Sequence, residues 1–248
     1  MGRIKILAFL IVGLYTNATA AERAELARLI DSPTAGLIDK GRYGVALRLF
    51  ANGGVLTQLD AGVLKRVTIA ISFGGEHIIG DADINWQSRV EAAIRYRILE
   101  ENTALPALVL GYDTQGYGNH RNERYQVKSK GVFLALSKNY LSSLGQFGVH
   151  GGANLSREDE DGDDDLSGWI GVDKSINEDF ALVAEYDLAL NDNSSSALGS
   201  GEGYLNAGAL FALSKELRLG FYLKNLLGNG PEKAQTSREL TVLYTEEF

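Results

Sequence analysis

Three histidines and one acidic run carry the side chains best suited to chemistry in this 248-residue chain. His77, His120 and His150 could each act as a base, and EDEDGDDD at 158–165 offers oxygen ligands to a hard cation such as Ca²⁺ or Mg²⁺. A serine hydrolase would need a nucleophile and a third polar group beside a histidine. Ser156 follows His150 by six positions and reads as pointing the wrong way, while His77 and His120 fall in loop-like stretches. No G-x-S-x-G, zinc or P-loop pattern occurs, and the absence of cysteine removes thiolate metal sites and disulfides together. Asp161, Asp163 and Asp165 are the weak metal candidates of the acidic run, but the ordered ligands and terminal Glu of a Ca²⁺ loop are missing. The run reads more simply as a solvated loop of mutually repelling charges. These residues predict a protein that is not an enzyme and uses no cofactor.

A more regular signal lies in charges set against apolar residues at every second position, the period of a strand with two unlike faces. YGVALRLF (43–50) sets Tyr43, Val45, Leu47 and Leu49 against Arg48. VEAAIRYRIL (90–99) sets Val90, Ala92, Ile94, Tyr96 and Ile98 against Glu91, Arg95 and Arg97. FALVAEYDLAL (180–190) opposes an apolar face to Glu185 and Asp187, and LRLGFYLKNLL (217–227) opposes one to Arg218, Tyr222 and Lys224. Weaker alternation covers 55–64, 66–74, 144–156, 165–176, 204–214 and 238–248, adding Asp60, His150 and Asp173 to the polar face. It is weakest over 107–114 and 130–138. Segments of about ten residues suit a tilted strand crossing a bilayer, and about twelve of them suit an even-numbered antiparallel up-and-down transmembrane β-barrel.

The connections point the same way. Short ones near 64–66, 101–106, 139–143, 175–179 and 214–216 alternate with long polar ones at 74–89, 114–129, 157–165, 191–203 and 228–237. Short periplasmic turns and longer extracellular loops give this rhythm; ANGG at 51–54 breaks it. A soluble β-sandwich also alternates, with its apolar face inward. Small and charged residues on the opposite face favour the inverted, lipid-facing arrangement. The abundance of Gly (29), Tyr (11) and Phe (9) with only 3 Pro suits continuous β-structure with aromatic belts. Trp86 and Trp169 read as packing or interface aromatics.

The ends complete the expectation. MGRIKILAFLIVGLYTNATA (1–20) has the basic start, apolar run and A-x-A site of a cleaved secretory signal. AERAELARLID (21–31) is a short helical pattern, followed by an irregular link, SPTAGLIDKG (32–41). This 21–42 segment could enter the lumen as a plug or dock beneath the first strand; the marginal stability of a short polar helix favours docking. The last strand, RELTVLYTEEF (238–248), should close the barrel onto the first, with Phe248 at the periplasmic interface. That ending resembles an outer-membrane assembly signal, from which Glu246 departs. A net charge of −8 argues against a nucleic-acid partner.

Two expectations for the lumen follow. Arg48, Arg95, Arg97, Arg218 and Lys224, facing Asp60, Glu91, Asp173, Glu185 and Asp187, should pair and fill a narrow cylinder structurally; the alternative is a polar translocation path. Further, SPTAGLIDKGRYGVALRLF and ISFGG within 32–80, ALPALVLGYDTQGYG (104–118) and GVFLALSKNY (131–140) resemble the YjbH-like outer-membrane β-barrel proteins, associated with bacterial exopolysaccharide production and export. The resemblance spans 32–140 and carries no catalytic residue. It implies an outer-membrane location, lipid contact, and support for passage or secretion of polar solutes or polysaccharide. An adhesive surface barrel is the alternative, and a barrel-borne lipid hydrolase a third.

Overall fold

The computed structural model describes residues 25–121, 124–142, 145–194, 197–230 and 236–248. The expected signal segment 1–20 and the start of the helical pattern, 21–24, lie outside the described residues. Twelve long strands among these residues form one closed antiparallel barrel. They are β1 (Arg42–Phe50), β2 (Gly54–Leu64), β3 (Val67–Glu76), β5 (Glu91–Leu99), β6 (Ala107–Asp113) and β9 (Gly131–Ser142). The other half comprises β10 (Gly145–Leu155), β11 (Ser167–Ser175), β12 (Phe180–Asp187), β13 (Tyr204–Ala212), β14 (Leu217–Lys224) and β15 (Ser237–Glu247). Three shorter strands sit in long connections: β4 (Asn85–Trp86) pairs with the end of β3, and β7 (Tyr117–Arg121) pairs with β8 (Arg124–Val127).

Closure comes from β15 pairing with β1, from Arg42↔Glu247 to Leu49↔Leu240. Closing the sheet removes the free edges that would otherwise leave backbone polar groups in lipid. Phe248 donates its N–H to Gly41 O at 2.8 Å, and its ring stacks on Tyr43 with centroids 5.5 Å apart. That contact lies at the rim of short turns.

Most large apolar residues of the strands point outward. Ile170 on β11 is 62% exposed while its neighbour Trp169 is 1% exposed. Leu59, Ile71, Ile94, Leu134, Val172, Leu182 and Phe221 are likewise exposed, and Arg48, Glu91, Arg95, Glu185 and Lys224 are buried. A soluble barrel requires the reverse distribution, because exposing such a band to water forfeits the hydrophobic effect. The arrangement is that of a lipid-facing cylinder.

No helix occurs among the described residues. Residues 25–31, expected to be helical, are irregular. Their amides and charges find partners on the barrel wall, and these replace the i→i−4 ladder of a short helix. The link beyond them turns back, with Thr34 N–H donating to Ala27 O at 3.2 Å and an isolated bridge joining Arg28 and Pro33. The result is a hairpin-like insert, 26–37, which stands in the lumen and does not dock beneath β1. Gly36 sits where its turnback passes Leu26: a Cβ there would lie 2.2 Å from Leu26 O.

Candidate functional site

The inward face of the barrel is charged, and its charges are arranged around two inserts that enter from opposite rims. The first is the N-terminal insert. At its tip, Ile30, Asp31 and Ser32 donate their backbone N–H groups to the Glu185 carboxylate at 3.1, 2.9 and 2.9 Å. Asn206 adds a fourth bond to Glu185, at 2.9 Å. Glu185 is 1% exposed. A buried carboxylate carries a large desolvation cost unless several donors meet it, and here three come from a single turn.

Other wall residues also hold this insert by its backbone. Ser137 Oγ accepts from Ala35 N–H at 2.8 Å, Thr68 Oγ1 from Ile38 N–H at 3.0 Å, and Trp169 Nε1–H donates to Pro33 O at 3.0 Å. Arg95 donates to Ala27 O and Arg97 to Ala35 O. Between these polar grips lie apolar seats. Ala35 and Leu37 pack among Ala107, Val109, Phe133, Ala135 and Trp169; Leu29 and Ile30 pack against Ala181, Val183, Leu210 and Tyr222. Gly171 makes room on β11, since a Cβ there would come 2.2 Å from Leu29 Cδ1. Trp169 is therefore a lumen residue, whereas Trp86 stacks on Phe73 and is half exposed.

The second insert is the β7–β8 hairpin with its flanks, 114–130, from the long-loop rim. Arg124 pairs with Asp161 and with Asp192 (3.1 Å), and Lys128 pairs with Asp161 at 2.7 Å. Glu158 accepts the N–H groups of Tyr125 and Ser129 at 2.9 and 3.0 Å. Asp163 accepts those of Asn193 and Ser194 at 2.9 and 3.0 Å. The acidic run is therefore solvated only in part: Asp159, Glu160, Asp164 and Asp165 are exposed, whereas cations pair with Asp161 and backbone amides bind the buried Glu158 and Asp163. Burial pushes the Glu158 carboxyl up, only partly offset by its bonds from Ser129 and Tyr125. Burial acts the same way on Asp163, but amide donors from Asn193, Asp165 and Ser194 outweigh it and hold that carboxyl below its ordinary value. Among the described residues, no group of three or more His, Asp or Glu side chains is placed to hold a metal ion, so Asp161, Asp163 and Asp165 form no such cluster.

The two inserts meet in mid-lumen. Arg28 Nη1 donates to Tyr117 Oη at 2.8 Å and to Gln58 at 2.8 Å, and Arg28 pairs with Asp113 at 3.4 Å. Beside this contact Asp31 bridges Arg48 (2.6 Å) and Lys224 (2.7 Å), and Glu239 also pairs with both cations. Asp60 accepts from Gln58, Glu91 from Tyr125 Oη at 3.0 Å, and Asp187 pairs with Lys130. Tyr222 closes one apolar seat; Arg97, near the short-turn rim, pairs with Glu25 and Glu100. Arg218, His150 and Asp173 line a cavity of about 90 Å³ at that end, beneath Thr34 and Gly36. A second cavity of about 10 Å³, roughly one water's worth of space, lies by Arg48, Gln115 and Tyr117.

His150 has partners that sequence reasoning missed. Its Nδ1 meets Ser137 Oγ and its Nε2 meets Asp173 Oδ1, both at 2.8 Å. Neighbouring strands β9, β10 and β11 bring the three together, a relation visible only once His150↔Ser137 pairing is known. Ser156, the serine nearest in sequence, is buried beyond the end of β10, where its Oγ accepts Glu158 N–H at 3.1 Å. Distance along the strand, about 3.3 Å per residue, separates it from His150, whichever way it points. The Ser137–His150–Asp173 chain has the donor–acceptor order of a nucleophile, base and orienting acid. Yet Ser137 Oγ already receives Ala35 N–H, with 34–36 lying over it. The trio clamps the insert.

No family model matches the chain, and no curated protein matches it. Among solved structures it is similar to the KdgM porin, with a TM-score of 0.50 at 7% identity, covering 82% of this chain and 98% of that one. The KdgM porin in complex with disordered oligogalacturonate gives 0.49 at 9% identity, over 82% and 98%. The NanC porin gives 0.45 at 11% identity, over 83% and 99%. At such identities the likeness speaks to the outer-membrane barrel fold and to nothing finer.

Proposed function

We propose that this barrel is a non-enzymatic outer-membrane channel, closed at rest by its own inserts, that supports passage or secretion of polar solutes. The observation that carries this reading is the N-terminal insert, 26–37, which runs into β1 through 38–41 and is held in the lumen by wall groups that remain in place if it leaves. Barrels of about eight strands fill their interior with wall side chains, whereas this twelve-stranded one is filled by segments of its own chain. The porin names of the similar structures fit passage as a fold-level analogy. A role with exopolysaccharide is the finer form of the proposal and rests on the YjbH-like phrases between 32 and 140. The adhesive alternative is weakened because Glu158, Asp161 and Asp163 of the acidic run are already partnered within the barrel.

Planar-bilayer recordings test this. The full chain should be silent or open rarely, and removal of 21–37 should give steady, discrete conductance. A correctly folded deletion variant that stays silent overturns the channel reading.

A further inference from the structure

We infer that Arg48 and Lys224 form a recognition site for the carboxylate of a small acidic solute, and that Asp31 occupies it as a built-in substitute. The inference deepens the closed-channel reading and rests on it. Asp31 presents one oxygen to each cation, Oδ1 to Arg48 at 2.6 Å and Oδ2 to Lys224 at 2.7 Å. A free carboxylate would be gripped the same way. The side chains of Arg48, Lys224 and Asp31 are 8%, 8% and 4% exposed, so the grip is desolvated. The Tyr117 ring forms a shared wall, 4.2 Å from the Arg48 guanidinium carbon and 5.2 Å from Lys224 Nζ.

Charge balance then decides what the site wants. With the insert seated, two cations face two carboxylates, Asp31 and Glu239. Glu239 belongs to β15, between the β1 and β14 strands that carry the cations, and stays with the wall. Asp31 leaves with the insert. Arg28 leaves too and parts from Asp113, but at this seat the two cations then share Glu239 alone, and an incoming anion restores their second partner. An acidic solute and the insert therefore compete for one seat.

The test uses the full chain in detergent with Trp86→Phe, so that Trp169, hydrogen-bonded to Pro33 of the insert, reports its position. Gluconate is the probe and sorbitol the uncharged control. With Asp31→Asn, gluconate should change Trp169 emission saturably, at a concentration at least about tenfold below that needed when Asp31 is intact. Sorbitol should have no effect, and adding Arg48→Gln should abolish the response. If Asp31→Asn does not fold, the unsubstituted chain still decides the matter: gluconate, and not sorbitol, should lengthen its open time in a planar bilayer. Equal action of the two compounds, or no gain from Asp31→Asn, overturns the carboxylate site and leaves the closed-channel reading standing. Silence after removal of 21–37 overturns that reading instead.

Discussion

The two inserts close one lumen by different physical means. Wall residues read the N-terminal insert through its backbone, with Glu185, Ser137, Thr68 and Trp169 bonding its amides and carbonyls. It is also seated in apolar hollows on β6, β9, β11, β12 and β13. Ion pairs between loops, with Glu158 accepting the Tyr125 and Ser129 amides, hold the β7–β8 hairpin, and both its ends run into barrel strands. The first fits one backbone shape, so under the channel reading it would leave as a unit. The second can loosen pair by pair, and its stability depends on the charge state of loop carboxylates. Under the proposed channel reading, this difference puts the gate on the N-terminal side and makes the hairpin a lid.

The largest effect should come from Glu185→Ala. It leaves three backbone amides buried without an acceptor, at about 1–3 kcal/mol each, and should unseat 26–37. Limited proteolysis of that segment, or channel opening, reads the result; a seated insert would show that the apolar hollows suffice alone. Arg124→Ala comes next. Removing one partner of a buried pair costs about 3–5 kcal/mol, and it should expose the hairpin to added protease while leaving the N-terminal insert protected. Release of both inserts together would erase the distinction between them.

Ser137→Ala removes one acceptor from Ala35 N–H and one partner from His150, for roughly 1–3 kcal/mol. A modest drop in thermal midpoint is expected, with no serine-directed fluorophosphonate labelling of either form. Labelling of Ser137 would revive the hydrolase reading. The smallest effect concerns pH. Since burial raises the folded-state value of Glu158, its contribution is full below the ordinary glutamate value and is lost as pH rises through the raised one. Glu158→Gln, which cannot ionise, should therefore shift in lid stability in glutamine's favour as pH rises above the ordinary glutamate value. Asp163→Asn should show the opposite trend at acid pH, because the lowered value of Asp163 supplies stability that fades as pH falls through it. Protease protection of 114–130 across pH measures both.

Most of the barrel was legible because lipid outside and charge inside impose a period of two on every strand that must satisfy both. The expected segments match the twelve strands to within a few residues, and the terminal strand closes on β1 as its pattern required. The two segments with the weakest alternation, 107–114 and 130–138, are β6 and β9. Their inward residues Ala107, Val109, Phe133 and Ala135 are apolar because they seat the insert. The blurred period was itself a trace of the plug. A single sequence cannot separate such a strand from a poorly patterned one.

Composition and periodicity determined the cylinder, its closure and the charged lining, since these follow from local chemistry repeated along the chain. Only the tertiary structure decided where 26–37 goes, that Asp161 of the acidic run pairs with Arg124 and Lys128, and that Ser137 meets His150 and Asp173. Those outcomes depend on contacts between residues far apart in sequence, whose energies exist only after the sheet has closed and water has been driven from its interior.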